Sequence, residues 1–317
     1  MQESPYLEGR ESLVGKFRKP TGMSASYDCI IIGAGPGGLQ AAIHLGRYHR
    51  RALVLDHGSG RTRHALHIEN YLGITAISGK NLVDIGTEQL KAFGGGFRHE
   101  NVESVTVANG FVVTTDKERY QAPFVIASTG VTEKIPFIAR MNRFFGRSVY
   151  TCIDCDGYRT MGKKVVILAD SVEGVRLALG MKQMFTPEIT VVLPEGVLPA
   201  DFAELLAEEG ITARAGTPQE FLGEPGLTGV RLHSGEEIPC EAAMLNYGYT
   251  LNDSYLAGLD LAREGNRAEI VTSHVHETSV RNLFAVGALR PGNPQAIIAA
   301  GQGCQAAIEI NRRLLEI

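Results

Sequence analysis

Residues 28–58, DCIIIGAGPGGLQAAIHLGRYHRRALVLDHG, leave the chain few folds to choose from. An apolar run from Cys29 to Ile32 reads as a strand. Gly33, Gly35 and Gly38 follow in G-x-G-x-x-G spacing, then a helical pattern, then a second apolar run ending in Asp56. Each glycine of such a turn has its own task. One makes the tight bend, one lets backbone N–H groups approach a pyrophosphate, and one lets the helix pack closely on the strand. The helix N-terminus then faces the anion. Asp56 lies 23 residues beyond Gly33, close to the roughly 20 expected of an acid that binds an adenosine ribose. Strand, turn, helix and acid together predict a dinucleotide site in which Pro36 and Gly37 belong to the same cradle.

At 317 residues the chain has room for two domains at roughly 150 residues each. A formal charge of -4 argues against a nucleic-acid binder, which carries a basic footprint, and favours a small neutral or anionic ligand. The first two dozen residues hold charges and prolines without an apolar core, so they do not read as a secretory leader, and no apolar run is long enough to span a bilayer. A cytoplasmic protein is expected. Residues 1–23 read as a flexible tail whose Lys16, Arg18 and Lys19 are solvated, with a weak membrane-surface role as the alternative.

Cysteines stand at 29, 152, 155, 240 and 304, an odd, scattered set unlike a secreted disulfide framework. Only YTCIDCDGY brings two together. A structural zinc site needs four ligands, and the other cysteines stand alone. Two intervening residues allow disulfide geometry at the start of a helix, where dipole and free N–H groups stabilise a thiolate. One sulfur can then attack a partner disulfide while the other resolves the mixed species. Asp156 fits a general acid/base, with a helix cap as the alternative. Asp154 disfavours thiolate and shifts the redox poise.

Two further segments place apolar strands before Ser128, Thr129 and Gly130 (RYQAPFVIASTGVTEKIP) and before Gly287 (NLFAVGALRPGNPQAIIAAGQGCQAA). With the first motif, IENYLG (residues 68–73) and CIDCDGY, they resemble the flavoprotein thioredoxin reductases over nearly the whole chain after residue 25. The resemblance implies an α/β fold of two Rossmann-like, three-layer domains. Residues 24–133 and 249–317 would form an FAD domain, and 134–248 an inserted domain of NADPH type carrying the cysteines. It implies FAD contacts at Asn70, Val102, Ser128, Thr129, Gly130, Gly287, Gln295 and Ala296, besides the glycine turn and Asp56. It assigns Cys155 to the flavin and Cys152 to the substrate, which would be a thioredoxin-like protein or a small dithiol or disulfide, and it implies a homodimer. One departure lies near the flavin. The family's Gly-Asp reads Gly287-Ala288 here, so a carboxylate that holds a ribityl hydroxyl is missing.

The inserted domain departs further. KKVVILADSVEG echoes the first motif, but Ala169 and Ser171 stand where Gly33 and Gly35 stand, and only Gly174 matches Gly38. Side chains there keep a pyrophosphate from the backbone, and Asp170 and Glu173 add repulsion. After the next strand, family members that use NADPH carry a His-Arg-Arg cluster suited to a 2′-phosphate; this chain has Leu193-Pro194-Glu195-Gly196. The expectation is FAD-dependent dithiol–disulfide oxidoreduction without NADPH. It resembles diflavin-linked oxidoreductases of oxygenic photosynthetic bacteria, which hold a second FAD in the former NADPH site. Ferredoxin- or NADPH-fed thioredoxin reduction is the alternative, and a non-catalytic redox sensor the competing class. Arg61, Arg63, His64 and His67 read either as cofactor-phosphate contacts or as a solvated basic loop. Tyr247 and Tyr249 read as packing before stacking, as do Cys29 and Cys304.

Overall fold

A computed structural model describes residues 27–315; the tail expected over residues 1–23, with its basic cluster, lies outside the described residues. Two parallel five-stranded sheets organise the chain, as the two-Rossmann reading expects. In the first, Cys29–Ile32 lies at the centre. Ala52–Asp56 and then Gly96–His99 lie on one side, Phe124–Ala127 and then Leu283–Ala285 on the other. In the second, Val165–Ala169 is central, flanked by Ile189–Leu193 and Thr212–Ala215 and by Ala242–Asn246 and Val149–Tyr150.

The strand at residues 29–32 alternates faces although every residue in it is apolar. Cys29 and Ile31 pack under the helices Pro36–Arg47, Gly79–Ala92 and Ala296–Leu314, through Leu45, Leu90 and Ile310. Ile30 and Ile32 turn to the opposite face, beneath the antiparallel meander that contributes Val105, Phe111 and Val113. Burial on both sides is why the strand reads as an unbroken apolar run rather than an alternating one. The second sheet repeats the plan. Ile167 packs against Val175 and Met181 of the helix Glu173–Met184, and Val166 and Leu168 against Phe221 and Val230 of a second meander. Cys29 is core packing, as expected. Tyr247 packs at the edge of the second domain's core, and Tyr249 lies 4.4 Å beneath the Arg267 guanidinium.

Two short strands, Val131–Glu133 and Tyr249–Leu251, pair antiparallel where the chain leaves the first sheet and returns to it. The C-terminal helix, Ala296–Leu314, crosses the helix Pro36–Arg47 closely enough that a Cβ on Gly303 would sit 2.0 Å from the Gly37 carbonyl oxygen. Its far end is held by charge. Arg313 spans both carboxylate oxygens of Glu277 and reaches Glu309 at 2.7 Å, and Arg312 also binds Glu309. Hydrogen bonds from Arg312 and then Arg313 hold Glu309 down at about 2.

Gly303→Ala should therefore destabilise the fold by about 1–3 kcal/mol through overpacking. Gly301→Ala, on the same helix with no atom within 4 Å of the added Cβ, should stabilise it by roughly 0.5–1 kcal/mol. Denaturant melts of the two variants check the contrast. Because the pKa of Glu309 is depressed in the folded state, its contribution exists above the ordinary glutamate range and fades as pH falls from 4.5 toward about 2. Arg313→Met should lower the melting midpoint at pH 7, and the gap to the parent chain should shrink below pH 4.5 and close only toward about pH 2, which melts across that range would test.

Candidate redox-active site

The predicted cofactor residues gather at one edge of the first sheet, where the carboxyl ends of its strands meet. Strands flanking a central one on both sides leave a crevice there, the usual ligand position in open α/β sheets. Gly33 has φ +102°, and a Cβ on it would lie 2.6 Å from the Ser128 carbonyl oxygen; one on Gly38 would lie 2.0 Å from the Gly33 oxygen. Both positions therefore require glycine for the close approach of turn, helix and neighbouring strand. At Gly35 the nearest atom to an added Cβ is 3.8 Å away, so glycine there keeps the crevice open rather than relieving a clash.

The Ser128 hydroxyl donates to the carbonyls of Ile32 and Gly33 at 2.8 Å each, so it pins the turn. Asp56 is buried, and its oxygens accept the N–H groups of Ala34 and Gly58 at 2.9 Å each. The acid braces the loop while each oxygen keeps a second lone pair toward the crevice. Thr129 donates to the Asn252 carbonyl at 2.6 Å.

A cavity of about 340 Å³ fills this crevice, lined by Gly33, Gly35, Pro36, Gly37, Asp56, Val102, Ser128, Thr129, Gly130, Gly287, Gln295 and Ala296. Gly38 lies beneath the turn and Asn70 farther along. Beside Ala288, the Gly287 N–H donates to the Gln302 side chain at 2.7 Å, a partner the sequence reading missed although Gln302 is two helical turns from Gln295. A second cavity, about 480 Å³, shares Arg61, Thr62, Val131, Pro294, Gln295 and Ala296 with the first and continues to Asn70, Cys152, Cys155 and Asp156. The two form one trough. A glycine cradle at one end, backbone donors along it and a disulfide at the other fit an extended dinucleotide such as FAD.

Cys152 and Cys155 are bonded, with Cα atoms 5.3 Å apart. The expected helix after Cys152 is only Ile153–Asp156, followed by a 3-10 turn at Gly157–Thr160. Four residues sum to little dipole, and Asp154 and Asp156 occupy that first turn, so a thiolate gains less from the helix than the motif suggested. A side-chain donor comes from elsewhere. The Gln295 amide nitrogen lies 3.6 Å from both sulfurs, and its oxygen accepts from the Asn70 side chain at 3.0 Å. The same oxygen lies 3.7 Å from the Cys155 sulfur, so both ends of the amide border the disulfide while Asn70 holds its oxygen.

Asp156 caps nothing with its side chain. It is half-buried, and desolvation raises its pKa against the pull of Arg159 and His67. Arg159 lies 3.5 Å from Asp156 and 2.8 Å from Glu69, which also accepts from the Tyr158 hydroxyl. Glu69, Tyr158 and Arg159 were not singled out in sequence. Their only local signals are Glu69 standing beside Asn70 and Arg159 standing three residues after Asp156. The basic loop is partly neutralised. Arg61 pairs with Glu133 at 2.8 Å and Arg63 with Asp84 at 3.0 Å, while His64 and His67 face the second cavity. Cys304 packs between helices with its sulfur 3.2 Å from His44.

In the second sheet the turn after Val165–Ala169 keeps the tight strand–helix contact, a Cβ on Gly174 meeting Ala169 at 2.5 Å. Asp170 and Glu173 are exposed there, as is Glu195 after the next strand.

Comparison with known proteins gives the same assignment. The family model of the pyridine nucleotide-disulphide oxidoreductases matches residues 27–303. The chain is 31% identical to a thioredoxin reductase of Treponema pallidum, covering 90% of this chain and 96% of that protein. It is 30% identical to one of Mycolicibacterium smegmatis, covering 92% and 97%. The crystal structure of an oxidoreductase from Agrobacterium tumefaciens superposes with a TM-score of 0.80 at 27% identity, over 92% of this chain and 99% of that one. The chain belongs to the pyridine nucleotide-disulphide oxidoreductase family and is a flavin-dependent disulfide oxidoreductase of the thioredoxin reductase kind.

Proposed function

We propose that the chain exchanges electrons between FAD and the Cys152–Cys155 disulfide without NADPH. The observation that carries this reading is the continuous trough from the glycine cradle to the two sulfurs. Gly33, Gly35, Pro36, Gly37, Asp56 and Val102 would hold the nucleotide end of FAD. Asn70, Thr129, Gly130, Gly287, Gln295 and Ala296 would hold the end toward the disulfide. Bound there, FAD supplies a two-electron couple that a dithiol–disulfide pair can fill or empty.

The chain's own residues do the rest. Cys155 takes the flavin-facing part and Cys152 the substrate-facing part, attacking or leaving a thioredoxin-like protein or a small dithiol. Gln295 gives an N–H to whichever sulfur carries charge, and such charge-assisted bonds exceed neutral ones. Asp156 carries the proton that a sulfur gains or loses, its raised proton affinity suiting work nearer neutral pH than an exposed aspartate allows.

Independence from NADPH rests on the second domain. Ala169 and Ser171 replace two cradle glycines, Asp170 and Glu173 set negative charge at the helix start, and Glu195 stands where a 2′-phosphate would need guanidinium. A second FAD in that place carries a pyrophosphate of its own and meets the same side chains, so one flavin per chain is the version proposed here. Electrons then enter or leave by a partner other than a pyridine nucleotide, in either direction. A homodimer in the cytoplasm completes the reading by family likeness. The family's description and its thioredoxin reductase relatives favour a second reading, NADPH-fed thioredoxin reduction.

Flavin content and an anaerobic NADPH titration separate the two. One FAD per chain with flavin absorbance unchanged by NADPH is expected; rapid bleaching by NADPH would restore the ordinary reductase. Cys152→Ser should perturb the flavin spectrum by leaving a lone sulfur beside it, with dithiol turnover lost in both single-serine variants. Unperturbed spectra together with no turnover of any dithiol by the parent protein would instead indicate a sensor.

A further inference from the structure

Between the disulfide and the loop at residues 67–70 lies a group of charges that the proposed electron transfer does not by itself require. Asp156 follows Cys155 directly and lines the same cavity. Glu69 belongs to the first domain, ahead of Asn70, and Arg159 to the second. Arg159 donates to Glu69 at 2.8 Å and stands 3.5 Å from Asp156. Its Nε is buried and has no hydrogen-bond partner among the described residues. The guanidinium is thus committed to Glu69 and only within electrostatic reach of Asp156. Its central carbon lies 5.2 Å from the centre of the Tyr158 ring, whose hydroxyl also binds Glu69, so three groups fix where that one cation points.

We propose that Arg159 is a positioning residue shared by Asp156 and Glu69, so that Glu69, from the other domain, sets through Arg159 how readily the carboxyl beside Cys155 takes up a proton. Every charged group facing Asp156 has a definite sign in this scheme. Desolvation raises its proton affinity, Arg159 and His67 lower it, and Glu69 raises it. Tyr150 and Tyr158 lie close enough that Asp156 raises the pKa of each, and neither carries charge near neutral pH. Glu69 itself is held below the usual glutamate range by the Tyr158 hydroxyl and then by Arg159, so it stays ionised.

Chemically, the inference rests on the dithiol–disulfide reading above. A dithiol gives up two electrons and two protons as it closes to a disulfide. The Cys152–Cys155 bond breaks, and its sulfurs accept the two electrons. The protons reach or leave those sulfurs by way of Asp156 and the water of the cavity. Because Glu69 and Arg159 come from different domains, the contact exists only while the disulfide segment lies against the loop. The acidity of Asp156 is therefore coupled to the docking of the two domains.

The test uses two charge deletions with opposite expected signs. Anaerobic flavin reduction by dithiothreitol is followed against pH and corrected for the reagent's own ionisation. In parallel, iodoacetamide alkylation of the reduced protein, read by mass spectrometry, reports the sulfurs without turnover. Arg159→Ala should move the limb assigned to Asp156 upward by about one pH unit, the shift expected on losing an opposite charge within about 4–6 Å. Arg159→Lys should restore at least half of that shift. Glu69→Gln should move the limb downward, because it removes a negative charge and releases Arg159 to Asp156. Asp156→Asn should abolish the limb in all backgrounds.

Shifts of the same sign in both deletions, or none in either, would overturn the proposal, since loosened structure alone gives no reason for opposite signs. If Arg159→Ala fails to fold, Glu69→Gln at its exposed position decides alone, and an unmoved limb rejects the idea. A parent protein whose disulfide dithiothreitol opens but whose flavin stays oxidised would instead count against the function proposed above, and the alkylation profiles of the opened cysteines would still decide the role of Arg159.

Discussion

The structure depends on close backbone approach around the glycine turn at residues 33–38. A methyl group at Gly38 would overlap the Gly33 carbonyl, and one at Gly303 would overlap that of Gly37. Three separate pieces of chain, the first strand, the first helix and the last helix, therefore meet at distances only glycine allows. The Ser128 hydroxyl ties the carbonyls at the end of that strand to the next one. This rigid corner opens the crevice, aims its N–H groups outward and sets the start of the C-terminal helix beside it.

From that corner the site is extended by long-range contacts rather than by the motif itself. Gln295 stands at the start of the C-terminal helix, whose course the Gly37–Gly303 crossing sets and whose far end Arg313 anchors. Its amide reaches the disulfide of the second domain, and Asn70 donates to the amide oxygen. The helix following Cys152 is too short to supply much field, so a neutral donor from another domain takes over much of what a helix dipole would have done. Such a donor favours a thiolate without competing for the proton that Asp156 holds.

Charge around the disulfide is balanced across the domain boundary. Asp154 and Asp156 disfavour thiolate, and Arg159 offsets one of them while also bound to Glu69. Two carboxylates about one cation make the net field at the sulfurs sensitive to where the guanidinium points. An isolated pair would hold Arg159 on Asp156 and lower that carboxyl's proton affinity further.

Local patterns determined much of this protein. Unbroken apolar runs marked strands buried on both faces, glycine spacing marked the cradle, and CxxC marked the disulfide, because each depends on backbone geometry within a few residues. The replacement of two turn glycines by Ala169 and Ser171 in the second motif was legible for the same reason. Tertiary structure alone decided the rest. Ser128 and Asp56 brace the turn as well as border the ligand space, the sulfur-facing donor comes from position 295, and Glu69 meets Arg159 from 90 positions away. No spacing rule encodes such meetings. They follow from how two sheets dock, and docking is set by surfaces whose partners lie far apart in the chain.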